Sequence, residues 1–117
     1  MLKIYQCENC KKTLISKVEL KVEGWKELIP NTTDAAQEKH VPMVVKKCKT
    51  VQVDVGSAPH PMTEEHLIEW VALETENGYQ VQYLKPNATP VCTFKLADGD
   101  KAVAVYAYCN LHGLWKN

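Results

Sequence analysis

Near the end of the chain a thiol and an imidazole stand three residues apart, in Cys109-Asn110-Leu111-His112-Gly113-Leu114-Trp115. The chain has four histidines. The other three are His40, in Glu38-Lys39-His40-Val41-Pro42, and His60 and His66, in Pro59-His60-Pro61-Met62-Thr63-Glu64-Glu65-His66. Imidazole nitrogen combined with soft thiolate sulfur is a donor mixture that suits a transition metal. A Cys-x-x-His turn lets both side chains reach one ion, and its backbone N–H groups can donate to the sulfur. His60 and His66 lack the i, i+4 spacing of a helical zinc-protease pair. They need a loop that turns back on itself, which Pro59 and Pro61 would stiffen. Taken singly, each histidine is more simply a hydrogen-bonded polar group at a strand end. Together they use every imidazole in the chain. Structural zinc is saturated by four ligands, so five donors fit better a mononuclear iron with one octahedral position open. An axial thiolate makes such iron electron-rich, and an open position there is a place to bind and reduce a small oxygen species.

The elements that must hold these donors read as strands. Residues 2–6 and 13–22 alternate or cluster apolar side chains, with Cys7-Glu8-Asn9-Cys10 on a tight turn between them. Residues 24–30 read as a connector. Cap residues followed by helix formers over 31–38 predict one or two helical turns, which Pro42 keeps from continuing through His40. From there strands are expected at 41–45, 50–55, 66–75, 79–84, 91–96 and 102–108. Asn77-Gly78 and Asp98-Gly99 lie between strand pairs, where hairpin turns with positive φ favour those dipeptides. Many short strands with almost no helix predict an all-β antiparallel sandwich. The run 102–108 is apolar on both faces, so it should be a central strand that delivers Cys109 at its end.

Composition narrows the function classes. A chain of 117 residues, 45% hydrophobic and 24% charged, has the size and core material of one soluble globular domain with at most a small appendage. Fourteen basic residues balance fourteen acidic ones, and every basic residue is lysine. With no net field and no arginine fork, the chain is not built for nucleic acid. No apolar run is long enough to span a membrane. Five cysteines, an odd number, without a secretory signal argue against a disulfide framework and for a reducing cytoplasm.

The stretches Glu38-Lys39-His40-Val41-Pro42, Val55-Gly56-Ser57-Ala58-Pro59-His60-Pro61-Met62, His66-Leu67-Ile68-Glu69-Trp70 and Tyr108-Cys109-Asn110-Leu111-His112-Gly113-Leu114-Trp115, in that order, resemble the superoxide reductases, the desulfoferrodoxin and neelaredoxin family. The resemblance spans residues 27–117. It implies an immunoglobulin-like β-sandwich over 28–117, with 1–27 a degenerate desulforedoxin-like segment. It also implies one square-pyramidal iron with His40, His60, His66 and His112 equatorial and Cys109 axial. The implied reaction is one-electron reduction of superoxide to hydrogen peroxide. The electron would come from rubredoxin or a similar small carrier, and the chain would form a homodimer or higher oligomer. Lys39 matches the family's cation beside the open site, suited to attracting superoxide. Glu38 matches the carboxylate that takes the sixth position in the ferric state. Without the motif, both would read as a solvated pair at a helix end.

Long family members hold a second iron on four cysteines, a CxxC and a later adjacent pair. This chain has Cys7 and Cys10 but no adjacent pair, so no such site is expected within one chain. Cys7 and Cys10 are then relics, free or as a dithiol couple, or they share a site between protomers, or they recruit Cys48 or Cys92. The last two are otherwise read as small buried hydrophobes. Lys46, Lys47 and Lys49 read as a solvated turn. Trp25, Trp70 and Trp115 read as core or interface residues, with Trp115 placed to shield the metal. The rival functions are a non-catalytic iron-binding or electron-transfer protein on the same fold, a metal-free interaction domain, and a dismutase. A donating thiolate disfavours dismutation by stabilising ferric iron.

Overall fold

A computed structural model describes residues 1–58 and 60–117. The chain folds as three antiparallel sheets in layers. The first holds β1 (Lys3–Cys7), β2 (Thr13–Ser16) and β3 (Trp25–Leu28), in the order β2-β1-β3. A one-turn helix α1 (Gln37–His40) leads into the sandwich. One sandwich sheet is β4 (Pro42–Lys47), β5 (Thr50–Val55) and β8 (Val91–Lys95), in the order β4-β5-β8. The other is β6 (Ile68–Thr75), β7 (Tyr79–Tyr83), β9 (Ala102–Cys109) and β10 (Gly113–Lys116), in the order β10-β9-β6-β7. This is the antiparallel sandwich that the strand pattern predicts, of the immunoglobulin-like kind that the family resemblance implies.

The four-stranded sheet is the middle layer, which explains why β6 and β9 are apolar on both faces. One face gives Val71, Leu73, Val105, Ala107 and Cys109 to the sandwich core, where Val51, Val53, Val55 and Phe94 meet them. The other gives Trp70, Ala72, Ala104, Tyr106 and Tyr108 to a second core shared with Leu2, Ile4 and Leu114. Strand side chains alternate faces, so a strand covered on both sides must be continuously apolar. Trp70 and Tyr108 stack with centroids 5.7 Å apart. Trp70 Nε1 donates to Thr13 Oγ1 at 3.0 Å, fastening the first sheet to the middle one. Buried Glu74 accepts from Leu2 N (3.1 Å) and Tyr106 Oη (3.2 Å), and lies 3.4 Å from Lys17 Nζ.

Several local expectations need correction. The region 24–30 contains a strand, β3, because Trp25–Leu28 pairs along β1. The segment after Ser16 is not a strand, since the Ser16 hydroxyl accepts from Val18 N at 3.0 Å and turns the backbone. The helix expected over 31–38 is one turn at Gln37–His40. Asn31 is not its cap: with φ +64 it clasps β10, its side chain accepting from Lys116 N and donating to Lys116 O. Asn77-Gly78 does join the β6–β7 hairpin, though neither residue takes a positive φ. Asp98-Gly99, with Gly99 at φ +78, is no hairpin; it carries the chain from β8 in one sheet to β9 in the other. Cys48 is not buried. It stands exposed at the β4–β5 turn with φ +52, between lysines that are exposed as expected, whereas Cys92 is buried.

Candidate metal centre

Four segments bring the five donors to one end of the sandwich. α1 ends at His40, and Pro42 then opens β4. The loop after β5 carries His60 and His66, β9 ends at Cys109, and the β9–β10 turn carries His112. One ligand atom from each of these five residues lies within 4.8 Å of the others. Cys109, His40 and His60 are buried, and His66 and His112 half-buried. Pro59, one of the two prolines expected to stiffen the histidine loop, lies outside the described residues.

The hydrogen bonds around the cluster determine which nitrogens face inward. His40 Nδ1 lies 2.6 Å from the Ala36 carbonyl and His60 Nδ1 2.6 Å from the Pro61 carbonyl. A carbonyl only accepts, so both Nδ1 atoms carry hydrogens, and each neutral ring turns a bare lone pair at Nε2 into the cluster. Those two Nε2 atoms are 3.0 Å apart, and His112 Nδ1 is 3.2 Å from His40 Nε2. Among the described residues, His66 Nε2 is buried without a hydrogen-bond partner. Converging lone pairs repel one another unless a cation sits among them. Burial, with the neighbouring imidazoles adding to it, favours the neutral form of three of the rings: it lowers the pKa of His40 and His66, and that of His60 to about 4. Burial pushes the Cys109 thiol up, while the His112 and Leu111 N–H groups pull it down, His112 N lying 3.4 Å from Sγ. A bound metal would supply the opposite charge that turns this thiol into a thiolate ligand. The residues present therefore fit a metal.

Residues whose importance the sequence did not announce set this geometry. Gly56, at φ +83, lies under α1, where an added Cβ would stand 2.6 Å from Glu38 O and from Lys39 C. Gly56 N donates to Val41 O and Ala58 N to Glu38 O, tying the helical turn to the histidine loop. Asn110 links that loop to the cysteine turn: its Oδ1 accepts from Leu67 N (3.0 Å) and its Nδ2 donates to Glu65 O (2.9 Å). Trp115, which the sequence did mark as a shield for the metal, stacks on His40, centroids 4.8 Å apart, and donates from Nε1 to His112 O at 3.1 Å. An Asn in a turn and a Gly before a loop are too common to reveal such roles.

Glu38 and Lys39 are exposed on α1 beside the cluster. Lys39 is near enough for its charge to lower the pKa of His40 and His66. Cys7 and Cys10 lie elsewhere, on the turn after β1, with both thiols free. Cys92 is in the sandwich core and Cys48 on the β4–β5 turn, so neither joins them.

The fold and the cluster together define a class: an immunoglobulin-like sandwich with a histidine–cysteine cluster fit to hold a metal at one end. A desulfoferrodoxin family model matches residues 32–117. The desulfoferrodoxin of Clostridium acetobutylicum is 46% identical over 94 residues, 80% of this chain and 73% of that protein. That of Desulfarculus baarsii is 38% identical over 121 residues, 98% of this chain and 94% of that one. Among solved structures, the superoxide reductase from Treponema pallidum aligns with a TM-score of 0.76 at 43% identity, over 80% of this chain and 77% of that one. The chain belongs to the desulfoferrodoxin family.

Proposed function

We propose that this protein is a superoxide reductase whose iron is held by His40, His60, His66, His112 and Cys109. The observation that carries this reading is the convergence of bare imidazole lone pairs and a buried thiol within 4.8 Å. When bound, ferrous iron supplies the one electron that, with two protons, converts superoxide to hydrogen peroxide. The chain's own residues do the rest. The carbonyls of Ala36 and Pro61 fix the ring tautomers, and the Leu111 and His112 N–H groups moderate charge on the sulfur. Lys39, exposed beside the imidazoles, draws the superoxide anion in and favours negative charge there. Glu38, exposed on the same turn, would offer a carboxylate to the oxidised metal. Electrons come from a small carrier such as rubredoxin, in a cytoplasmic homodimer. Residues 1–27 are a degenerate desulforedoxin-like segment and 28–117 the iron domain. No helix is long and apolar enough to cross a membrane.

The test is iron per chain with an optical spectrum, followed by superoxide consumption with donor present. One iron per chain, a thiolate-to-ferric band and peroxide formed without dioxygen support the reading. Lys39→Ala should slow the reaction by roughly tenfold and flatten its dependence on ionic strength. A chain that binds no iron after reconstitution, or that evolves dioxygen from superoxide, would overturn it.

A further inference from the structure

The CxxC turn is unused by the histidine centre, yet it is built with care. Cys7 ends β1; its N–H donates to Lys12 O at 2.9 Å, and its carbonyl accepts from Lys11 N at 3.0 Å. Glu8 N donates to Gly24 O at 2.8 Å, and Lys11 sits at φ +62 to complete the turn. Cys10 N points at Cys7 Sγ from 3.3 Å. Tight turns hold the first and fourth Cα atoms within about 7 Å, close to the span that a disulfide bridges. Among the described residues, the one cluster of three or more histidine, cysteine or carboxylate donors is the metal centre. Among those residues, Cys7 and Cys10 therefore have no third ligand.

We propose that Cys7 and Cys10 form a dithiol–disulfide couple oxidised by hydrogen peroxide, a two-electron reaction separate from the one-electron chemistry of the histidine centre. Its supply of peroxide rests on the function proposed above; its chemistry does not. Cys7 is the attacking sulfur. Its thiol is held below the ordinary value first by a hydrogen bond from the Cys10 side chain, then by backbone N–H groups of Cys10, Asn9 and Lys11. Lys11 and Lys12 follow directly, both exposed. Cys10 is exposed and Cys7 half-buried, so a small oxidant reaches both. Gln6, next to Cys7, donates to Tyr108 Oη at 2.8 Å, and Tyr108 adjoins Cys109. Lys11 lines a groove of about 350 Å³ that His112 also lines. It also lines a second groove, of about 590 Å³, that opens at Cys10. Lys11 thus stands between the metal end and Cys10, on a surface that peroxide leaving the metal end would meet.

The step balances. Cys7 thiolate attacks one peroxide oxygen, the O–O bond breaks, and the departing hydroxide takes a proton to leave as water. Cys7 becomes a sulfenic acid. Cys10 thiolate then attacks Cys7 Sγ, the S–S bond forms and the S–O bond breaks, releasing a second water. Two thiols have given two electrons to one peroxide. A small thiol reductant returns the couple by disulfide exchange.

The test uses the full iron-loaded chain with Cys48→Ser, which removes the other exposed thiol, and added hydrogen peroxide at one equivalent. Alkylation and peptide mass analysis should find Cys7 and Cys10 joined, two hydrogens lighter and recovered by dithiothreitol. With Cys10→Ser, oxidation should stop at a sulfenic acid on Cys7 that a dimedone probe traps. With Cys7→Ser, Cys10 should oxidise at least about tenfold more slowly. Two thiols still alkylated after peroxide would overturn the proposal. So would a metal bound above one per chain and lost in Cys7→Ser, which would mark a site shared between copies. Because the peroxide is added, a failed iron centre leaves this result intact. Conversely, unreactive thiols beside a working superoxide assay sink this proposal alone.

Discussion

Cys7-Glu8-Asn9-Cys10 and Cys109-Asn110-Leu111-His112 both close the end of a strand, each with an N–H of the fourth residue directed at the sulfur of the first, at 3.3 and 3.4 Å. Their surroundings are opposite. Cys109 is fully buried among sandwich side chains and three other elements bring imidazoles toward it. Cys7 is half-exposed at the rim of a small sheet, beside a second thiol. Burial raises the Cys109 thiol, whereas its thiol partner lowers that of Cys7. One backbone device thus yields two kinds of sulfur. What differs is the number of donors that the fold delivers and the amount of water it excludes.

Removing the sulfur from the buried turn should have the largest effect. Cys109→Ser is expected to cost at least about a hundredfold in iron affinity, beyond the loss typical of outer residues, and to abolish the thiolate-to-ferric band. Metal titration and the oxidised spectrum check this. Next comes Gly56→Ala, which places a Cβ against the Glu38–Lys39 backbone at a left-handed φ. It should lower stability by about 2–4 kcal/mol in urea unfolding and loosen His40, with no effect on the Cys7–Cys10 turn.

Smaller effects follow from the supporting side chains. Trp115→Phe loses the hydrogen bond to His112 O while keeping a ring over His40. Iron affinity should fall about tenfold. Alkaline pH tests the layer beneath the exposed turn. Burial, then the Glu74 charge and hydrogen bond, raises the Tyr106 phenol from 10 to about 12. The unfolded chain loses that proton earlier, so stability should fall as pH rises from 10 toward 12, by up to about 2 kcal/mol. Chemical denaturation across that range measures it. Smallest of all, Cys7→Ser should leave superoxide reduction and iron content within about twofold, since the two turns share no ligand. A large loss there would erase the contrast drawn between them.

How much of this was legible beforehand depended on how local each signal was. The five donors stood out because histidine and cysteine are scarce here and lie in short, recognisable stretches. β9 declared itself through an unbroken apolar run, the mark of a strand covered on both faces. β3 and β10 were missed because their pairing comes from β1 and β9, not from their own four residues. Asn31 looked like a helix cap and instead binds backbone 85 positions away. Asp98-Gly99 carries a hairpin signature, yet the sheets it joins are set by partners far along the chain. Gly56 and Asn110 act through close approach and long-range clasping, which residue type alone does not encode.

The double-faced middle sheet also bears on how the protein can be handled. Cutting away the first 28 residues would leave Trp70, Tyr106, Tyr108 and Leu114 facing water as one apolar surface. Such a shortened protein could keep its metal ligands and still precipitate, its solubility governed by self-association at a face remote from the chemistry.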